Sequence, residues 1–170
     1  MLKKDDIIKI LQNKSFKFKN YEHEAFFTVN DSNNKRPETE GSHTKNLFLK
    51  NKKNQFLMLS CEEKCSIDLK KFSKSISTGN LSFAREEYLT DILGIKAGSV
   101  SPFALLNDKK NLISFYLDFD LYIAEKINFH PLVNTSTITI NTKDFINLMT
   151  ENNKKINVFL TKEYKLLKTI

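Results

Sequence analysis

The spacing of apolar residues along the chain predicts a succession of helices and strands. Apolar side chains that recur every three or four positions indicate amphipathic helices, and short apolar or alternating runs indicate strands. The helices are predicted at 4–13, 68–76 and 85–93, with another that begins near Thr142 and a short one capped within 28–31. The strands are predicted at 15–19, 47–49, 56–59, 103–106, 112–117, 127–129, 136–140 and 156–160.

Two polar segments separate neighbouring predicted strands and indicate hairpins. Residues 51–54 follow the second strand, and residues 107–111 follow the fourth. The longest predicted loop is 33–42, which is polar and contains Pro37. Hairpin-type strand pairs with interspersed helices favour one mixed α+β domain over a parallel, doubly wound sheet.

The composition fits one folded domain. The chain has 170 residues, of which 40% are hydrophobic and 28% are charged, as is usual for globular proteins. No apolar run reaches membrane-spanning length, and charged residues interrupt the first apolar segment, so neither a membrane span nor secretion is expected. We assign residues 1–160 to the domain and 161–170, which contain Lys162, Lys165 and Lys168, to a basic tail or a frayed helix.

The excess of positive charge allows two interpretations. The formal net charge is +7, and all the basic residues except Arg36 and Arg85 are lysines. A lysine-rich surface suits a polyanion that is held by its phosphate backbone. The bias of an AT-rich genome toward lysine, asparagine and isoleucine codons would produce the same excess.

Several kinds of site are excluded by spacing. Cys61 and Cys65 are too few for a disulfide framework, and the three histidines lack metal-ligand spacing. The four glycines never cluster into a phosphate loop, and no Gly-x-Ser-x-Gly motif occurs. We therefore expect reduced thiols, a cytoplasmic location, and neither a metal nor an organic cofactor.

Three segments place polar residues where strands end or chains turn. Lys45 and Asn46 directly precede the apolar run 47–49, a two-glycine turn covers 94–102, and His130 follows the strand at 127–129. Each has an ordinary structural explanation: a surface lysine, a connector and a core histidine. Taken singly, none identifies a function.

Taken in order, these segments resemble a known family. The motifs are His43-Thr-Lys45-Asn46-Leu-Phe-Leu, Leu81-Ser-Phe-Ala, Gly98-Ser-Val-Ser-Pro102-Phe and Asn128-Phe-His130-Pro-Leu-Val-Asn134-Thr. They resemble the YbaK-like aminoacyl-tRNA deacylases, freestanding relatives of the editing insertion of bacterial prolyl-tRNA synthetases. The resemblance covers roughly residues 3–160 and is closest to the branch that removes alanine from tRNA(Pro).

The resemblance implies a fold and an activity. The fold would be a mixed, partly barrel-like sheet flanked by helices. The activity would be hydrolysis of the ester between a wrong amino acid and the terminal ribose, by water assisted by a ribose hydroxyl. The partner would be the acceptor end of mischarged tRNA(Pro), together with prolyl-tRNA synthetase or an elongation factor. The implied catalytic residues are Lys45, Gly98, Ser101 and His130.

The same resemblance implies a set of substrate-binding residues. They are Thr44, Asn46, Lys50, Ser99, Pro102 and Phe129. From their place between the first strand and the capped helix, Phe26, Phe27 and Val29 are further candidates for lining the pocket, although core packing would explain at least one of them.

Some features leave the function open. Asn80 stands where relatives often carry a basic residue that contacts the acceptor stem, whereas Lys50 fits the other stem-contacting lysine. Pocket dimensions cannot be read from the sequence, so a deacylase for cysteine or serine is an alternative. A tRNA-binding accessory domain of prolyl-tRNA synthetase without catalytic activity is another.

Overall fold

The computed structural model describes residues 1–25 and 37–170. The helices are α1 (Lys4–Asn13), α2 (Leu69–Ser75), α3 (Glu86–Tyr88), α4 (Phe119–Ile123) and α5 (Thr142–Glu151). Helix α3 continues into a π-helical turn at Leu89–Leu93, and a 3₁₀ helix spans Pro102–Asn107. The strands are β1 (Phe18–Glu22), β2 (Ser42–Asn51), β3 (Phe56–Glu62), β4 (Leu81–Phe83), β5 (Ile113–Asp118), β6 (Lys126–Phe129), β7 (Ser136–Asn141), β8 (Ile156–Leu160) and β9 (Lys165–Thr169).

The strands of the described residues form one mixed sheet. Its order is β1-β7-β6-β2-β3-β5-β8-β9, and β4 pairs with the end of β2. The pairs β2/β6, β3/β5 and β5/β8 are parallel, and the other pairs are antiparallel. Because β1 and β9 lie at opposite ends of this path, the sheet is not a closed barrel. The expected mixed α+β domain is confirmed.

The two faces of the sheet carry separate apolar clusters. Successive side chains of a strand point to opposite faces. Phe48 accordingly joins the larger cluster, which packs against α1, α5 and the 3₁₀ helix, whereas Leu49 joins the smaller cluster with Phe72 of α2. The sheet is therefore covered by helices on both sides.

Helix starts follow the local signals in the sequence. The carboxylate of Asp68 caps α2 by accepting hydrogen bonds from the N–H groups of Lys70 (2.9 Å) and Lys71 (3.1 Å). In α1 the N-cap residue is Lys3, and the carboxylate of Asp6, the third helical residue, reaches back to accept from the Lys3 N–H at 2.8 Å. Gly94, with φ +67°, ends the helical segment that begins at Glu86, as predicted.

The predicted hairpin around 107–111 is wrong. Residues 102–107 form the 3₁₀ helix, and β5 pairs in parallel with β3 and β8. A short run that is buried on all sides does not distinguish a strand from a helical turn. The Ser101 side chain, which accepts a hydrogen bond from the Phe103 N–H, and the proline after it favour the helical turn.

Two further segments differ from expectation. Lys165–Thr169 forms an edge strand antiparallel to β8 rather than a frayed helix or a loose tail. The first strand begins at Phe18 rather than at residue 15, because Ser15 turns the chain with φ +54°. The helix cap at 28–31, most of the loop 33–42, and Phe26, Phe27 and Val29 lie outside the described residues. Within the described ranges no helix has the length and apolar character to cross a membrane.

Candidate active site

The candidate site is built where the start of β2 meets β6. The two strands pair in parallel there, with His43 opposite Asn128. The Asn128 side-chain amide donates to the carbonyl oxygens of Glu40 (2.9 Å) and Ser42 (3.3 Å). In return the Thr44 hydroxyl donates to the Asn128 carbonyl at 2.7 Å. These bonds hold the motif that contains Lys45 beside the strand that leads to His130.

Asn46 connects β2 to the two-glycine turn. Its Nδ2 donates to the Val100 carbonyl at 3.0 Å, and its Oδ1 accepts from the Ser60 hydroxyl of β3 at 2.6 Å. Two motifs that are far apart in the sequence, 43–49 and 98–103, are thus in direct contact.

The turn at 98–102 exposes backbone donors. Gly98 has φ +83°, a conformation that favours glycine, and the Ser99 N–H donates to Lys96 O at 3.1 Å. The N–H groups of Gly98, Val100 and Ser101 donate to no atom of the described residues. Gly98 is exposed and Val100 is half-buried, so the N–H groups of these two residues can be reached by an anionic oxygen, whereas Ser101 is fully buried.

The Ser101 and Pro102 side chains have structural roles. The Ser101 Oγ accepts from the Phe103 N–H at 3.3 Å and so caps the 3₁₀ helix, whose first residue is the buried Pro102. Because Ser101 is 0% exposed, neither its hydroxyl nor its N–H lies at the surface of the turn.

His130 follows directly after β6. Its Nδ1 lies 2.7 Å from the Ser136 carbonyl, which can only accept, so Nδ1 carries the proton. In the neutral imidazole the other nitrogen, Nε2, is then the acceptor.

A second imidazole, which the sequence analysis did not select, lies beside His130. The rings of His23 and His130 have centroids 6.0 Å apart. His23 Nδ1 donates to the Glu24 carbonyl, and its Nε2 accepts from the Thr137 hydroxyl, each at 2.8 Å, in the neutral ring. Only the β1/β7/β6 pairing brings the two rings together, so no sequence spacing signals it.

Lys45 points to the other face of the sheet. Its ammonium donates to the Cys65 carbonyl, and its cross-strand partner is Cys61. Burial, and then the neighbouring Cys65, raises the pKa of the Cys61 thiol to about 12, so this thiol is protonated at neutral pH. Burial also raises the pKa of Asp118, which is 2% exposed, although its hydrogen bonds from Thr161 oppose that shift.

Lys50 and Asn80 lie farther from the site, and Phe129 is directed into the core. Lys50 sits near the opposite end of β2, with its ammonium 4.9 Å from the centroid of the Tyr88 ring. It pairs with Ser82 of β4, the strand that Asn80 precedes. Phe129 is 1% exposed and packs in the larger core, with its ring centroid 4.9 Å from that of Phe145.

Charge at the rim of the site is balanced by ion pairs. Glu40, which precedes β2, pairs with Lys126 and, at 3.0 Å, with Lys19. The hydrogen bonds from these two lysines lower the pKa of Glu40 to about 2. Among residues 1–25 and 37–170, no cluster of three or more histidine, cysteine or acidic side chains could hold a metal ion.

The comparison with known families decides the assignment. A family model described as the aminoacyl-tRNA editing domain matches residues 23–148, which include Lys45, the 98–102 turn and His130. The chain belongs to the aminoacyl-tRNA editing domain family. The match also takes in His23 and β7, so the paired imidazoles lie within the editing domain.

Individual relatives agree with the family. The editing domain is 32% identical over 130 residues to the prolyl-tRNA synthetase associated domain-containing protein 1 of Bos taurus, covering 74% of this chain and 75% of the relative. It is 30% identical over 132 residues to the prolyl-tRNA editing protein ProX of Acetoanaerobium sticklandii, covering 77% and 80%.

Solved structures share the fold. The crystal structure of a candidate trans-editing enzyme for prolyl tRNA synthetase superposes with a TM-score of 0.63 at 18% identity, covering 91% of this chain and 94% of that one. A second, of the hypothetical protein APE2540, gives a TM-score of 0.67 at 12% identity, covering 85% and 93%.

Proposed function

We propose that this editing domain is a trans-acting deacylase that hydrolyses the ester of mischarged tRNA, with Ala-tRNA(Pro) as its substrate. The observation that carries the proposal is the 98–102 turn. Its accessible N–H groups at Gly98 and Val100 have no partner in the described chain, and Asn46 holds the turn against β2. The family match and the two relatives support the substrate class.

The reaction requires stabilisation of a negatively charged oxygen. Water attacks the ester carbonyl with assistance from a ribose hydroxyl, the carbonyl oxygen becomes an oxyanion, and the C–O bond to the ribose then breaks. The products are the free amino acid and tRNA with a free terminal hydroxyl. Preorganised N–H donors such as those of the 98–102 turn suit this oxyanion.

Two side chains fit the remaining tasks. His130, which follows β6 directly, would line the pocket that receives the aminoacyl ester, as the family resemblance implies. Lys45 would hold the terminal nucleotide by its positive charge. The Cys61 thiol takes no part as a nucleophile, because its pKa of about 12 keeps it protonated.

The specificity for alanine follows from the asymmetry of steric exclusion. A synthetase pocket built for proline rejects smaller alanine only weakly, since a missing methylene is worth about 1–3 kcal/mol. A second pocket that admits a methyl side chain can reject the proline ring by clash, because packed walls yield only at considerable cost. The same reasoning allows some cleavage of glycine and serine esters.

The partners follow from the same proposal. The acceptor end of tRNA(Pro) would bind along the flank that carries Lys50, and the cytoplasm, where tRNA is charged, would be the site of action. Prolyl-tRNA synthetase is the proposed protein partner, as the name of the Bos taurus relative suggests. An elongation factor is the other candidate.

One experiment tests the proposal. Purified protein is incubated with tRNA(Pro) charged in turn with alanine, proline, serine and cysteine, and release of each amino acid is timed. Rapid release of alanine without release of proline is expected. Equal rates for alanine and proline would reduce the assignment to an unspecific deacylase, and faster release of cysteine or serine would change the substrate. Binding without any hydrolysis would indicate an accessory domain.

A further inference from the structure

Three loops meet at the edge of the sheet where its parallel strands begin. Strands β3 and β5 pair in parallel, and so do β5 and β8. The loops that lead into these strands, 52–55, 108–112 and 152–155, therefore lie side by side. Since neighbouring strands are about 4.8 Å apart, the three loops enter the sheet within about 10 Å of one another.

Each of these loops carries two consecutive lysines. Five of the six are exposed and form the strand-start patch: Lys52, Lys53, Lys109, Lys110 and Lys155. None of the five forms an ion pair with a carboxylate of residues 1–25 or 37–170. Their positive charges therefore remain available to an anion outside the described chain.

The sixth lysine holds two of the loops together. The Lys154 ammonium donates to the Asp108 carbonyl and, at 2.6 Å, to Asn111 Oδ1. The first loop is fixed as well, since Asn51 Oδ1 accepts from the Lys53 N–H at 2.9 Å. Loops that are already ordered lose less conformational entropy when they bind a partner.

The acidic residue of these loops is turned inward. Asp108 is 3% exposed, and its carboxylate accepts from the N–H groups of Leu112 (3.0 Å) and Ile113 (2.9 Å). Glu151, which precedes the third loop, pairs with Lys14. The carboxylates of the three loops and of the residue before the third are thus engaged, and the exposed charge of the loops is positive.

A cavity between the second and third loops adds further donors. Its volume is about 360 Å³, and its lining includes Asn111, Ser114, Lys154 and Lys155. Amide, hydroxyl and ammonium groups all donate hydrogen bonds to phosphate oxygens. This edge of the sheet therefore combines exposed charge with a recess that suits a phosphate group.

The strand-start patch also continues the side of β2 that carries the candidate site. Asn46, which holds the 98–102 turn, and Lys50 are four residues apart in β2, so they share one face and are separated by about 14 Å. Lys52 and Lys53 follow in the first loop. An anionic ligand that runs from the turn past Lys50 therefore arrives at the patch.

We propose that the strand-start patch binds the sugar-phosphate backbone of the tRNA beyond its acceptor end. The proposal rests on the deacylase function proposed above, which supplies the ligand. Ammonium groups on three adjacent loops contact phosphates without reading bases, so the patch adds affinity and no sequence preference. A membrane surface fits less well, because Leu112 is the one apolar residue of these loops and membrane binding needs a larger apolar face.

The first test measures the binding of uncharged tRNA(Pro) as the salt concentration rises. Lys109→Gln/Lys110→Gln removes two charges of the strand-start patch and keeps polar side chains. Each lysine that contacts a phosphate accounts for about one unit of the salt slope, so the slope should fall by about one to two units. Lys52→Gln/Lys53→Gln, on a different loop, should do the same. Wild-type affinity and slope in both variants overturn the proposal.

The matched control is Lys143→Gln/Lys165→Gln, which removes the same charge elsewhere on the surface. Both lysines are exposed, and neither forms an ion pair within the described ranges. Lys143 lies about 14 Å along α5 from the third loop. Lys165 pairs with Leu160, about 17 Å along β8 from Lys155. The control should keep the wild-type slope, and an equal loss there would show diffuse attraction to net charge and overturn a localised patch.

A second test compares two substrates of different length. On Ala-tRNA(Pro), Lys109→Gln/Lys110→Gln should raise KM and leave kcat unchanged, because the patch is remote from the ester. On the alanyl ester of a short oligonucleotide that has only the single-stranded acceptor end, the variant and the wild type should have the same KM. An equal rise of KM on both substrates would indicate damage to the site itself and overturn the proposal.

Two further outcomes are distinguishable. Wild-type protein that binds tRNA through the patch but deacylates no charged tRNA overturns the deacylase function and leaves the patch in place. Lysine variants that lose binding to phosphatidylserine vesicles, while their affinity for tRNA is unchanged, would assign the patch to a membrane surface and overturn the proposal.

Discussion

Lys45 and Asn46 are adjacent in β2, yet they make contacts on opposite faces of the sheet. The lysine donates to the Cys65 carbonyl on the side that is covered by α2, and the amide reaches Val100 on the side of the larger core. Alternation along an extended strand requires this separation. The two side chains therefore have separate roles. Asn46 holds the 98–102 turn through the Val100 carbonyl, and Lys45 places a positive charge on the opposite face of the sheet, next to Cys65.

Removing the Lys45 ammonium should abolish most of the activity. Lys45→Ala is expected to lower the deacylation rate by about 10²–10³, the usual cost of one preorganised electrostatic contact. The fold should persist, because the lost hydrogen bond to Cys65 O lies at a partly exposed position. Rates on Ala-tRNA(Pro) and thermal melting check both expectations.

The matched control is Lys74→Ala, which removes an exposed lysine from α2 without touching the site. It should have the wild-type rate. A Lys45→Ala variant that keeps a near-normal rate would exclude Lys45 from the mechanism.

The sequence identified part of this site and could not identify the rest. Motif spacing selected Lys45, Asn46 and His130, and their neighbourhood follows from strands that the apolar pattern also predicted. His23 was set aside, since its approach to His130 depends on β1 pairing with β7, a register that no local pattern encodes. The family resemblance placed Phe129 with the substrate, whereas strand alternation directs its ring into the core.

At the scale of elements, the decisive piece is the turn at 98–102, whose shape depends on Gly98. An alanine at φ +83° is strained by about 1–2 kcal/mol, and relief of that strain would rotate the peptides that follow. Gly98→Ala should therefore lower kcat by at least 10-fold while the protein stays folded. Steady-state kinetics and thermal melting measure the two effects.

Gly79→Ala is the natural comparison for this substitution. A Cβ at Gly79 would meet no atom within 4 Å, and its φ is not positive. This variant should retain the wild-type rate and stability. Full activity in Gly98→Ala would show that the turn does not need its left-handed residue for catalysis.

Elements with one buried and one exposed face were predictable, and elements without that contrast were not. Helices α1 and α5 have clear apolar stripes and were predicted where they occur. Residues 102–107 are buried throughout, and β9 is exposed throughout, so neither has a periodic pattern that reports its conformation. Strand β3 is also largely buried on both faces, but the polar turn 51–54 and the preceding strand located it.

For the whole molecule, the question is whether the net charge of +7 serves tRNA binding. Lys4, Lys14, Lys19, Lys126 and Lys162 pair with carboxylates, so contacts with phosphates are expected from other lysines. If the other lysines hold phosphates, tRNA affinity should fall steeply as salt rises, because bound counterions are released. A titration of the dissociation constant against salt concentration measures the slope.

Variants of single lysines show which of them contribute to the salt dependence of tRNA binding. Lys50→Ala should reduce the salt slope by about one, the amount expected for one phosphate contact. Lys162→Ala should leave the slope unchanged, because that lysine pairs with Asp120 beyond the end of β8. An affinity that does not depend on salt would assign the charge to codon bias.

The order of strands in the sheet also bears on how fast the protein reaches its native state. Strand β1 must find β7, with Phe18 opposite Ile140, and the start of β2 must find β6. Closing such long loops costs chain entropy before any contact repays it, which slows folding toward the millisecond-to-second range. The hairpin of β2 and β3 needs no such search and can form early. The Lys45–Cys65 contact can therefore precede the junction with β6, so the completed site marks a late stage of folding.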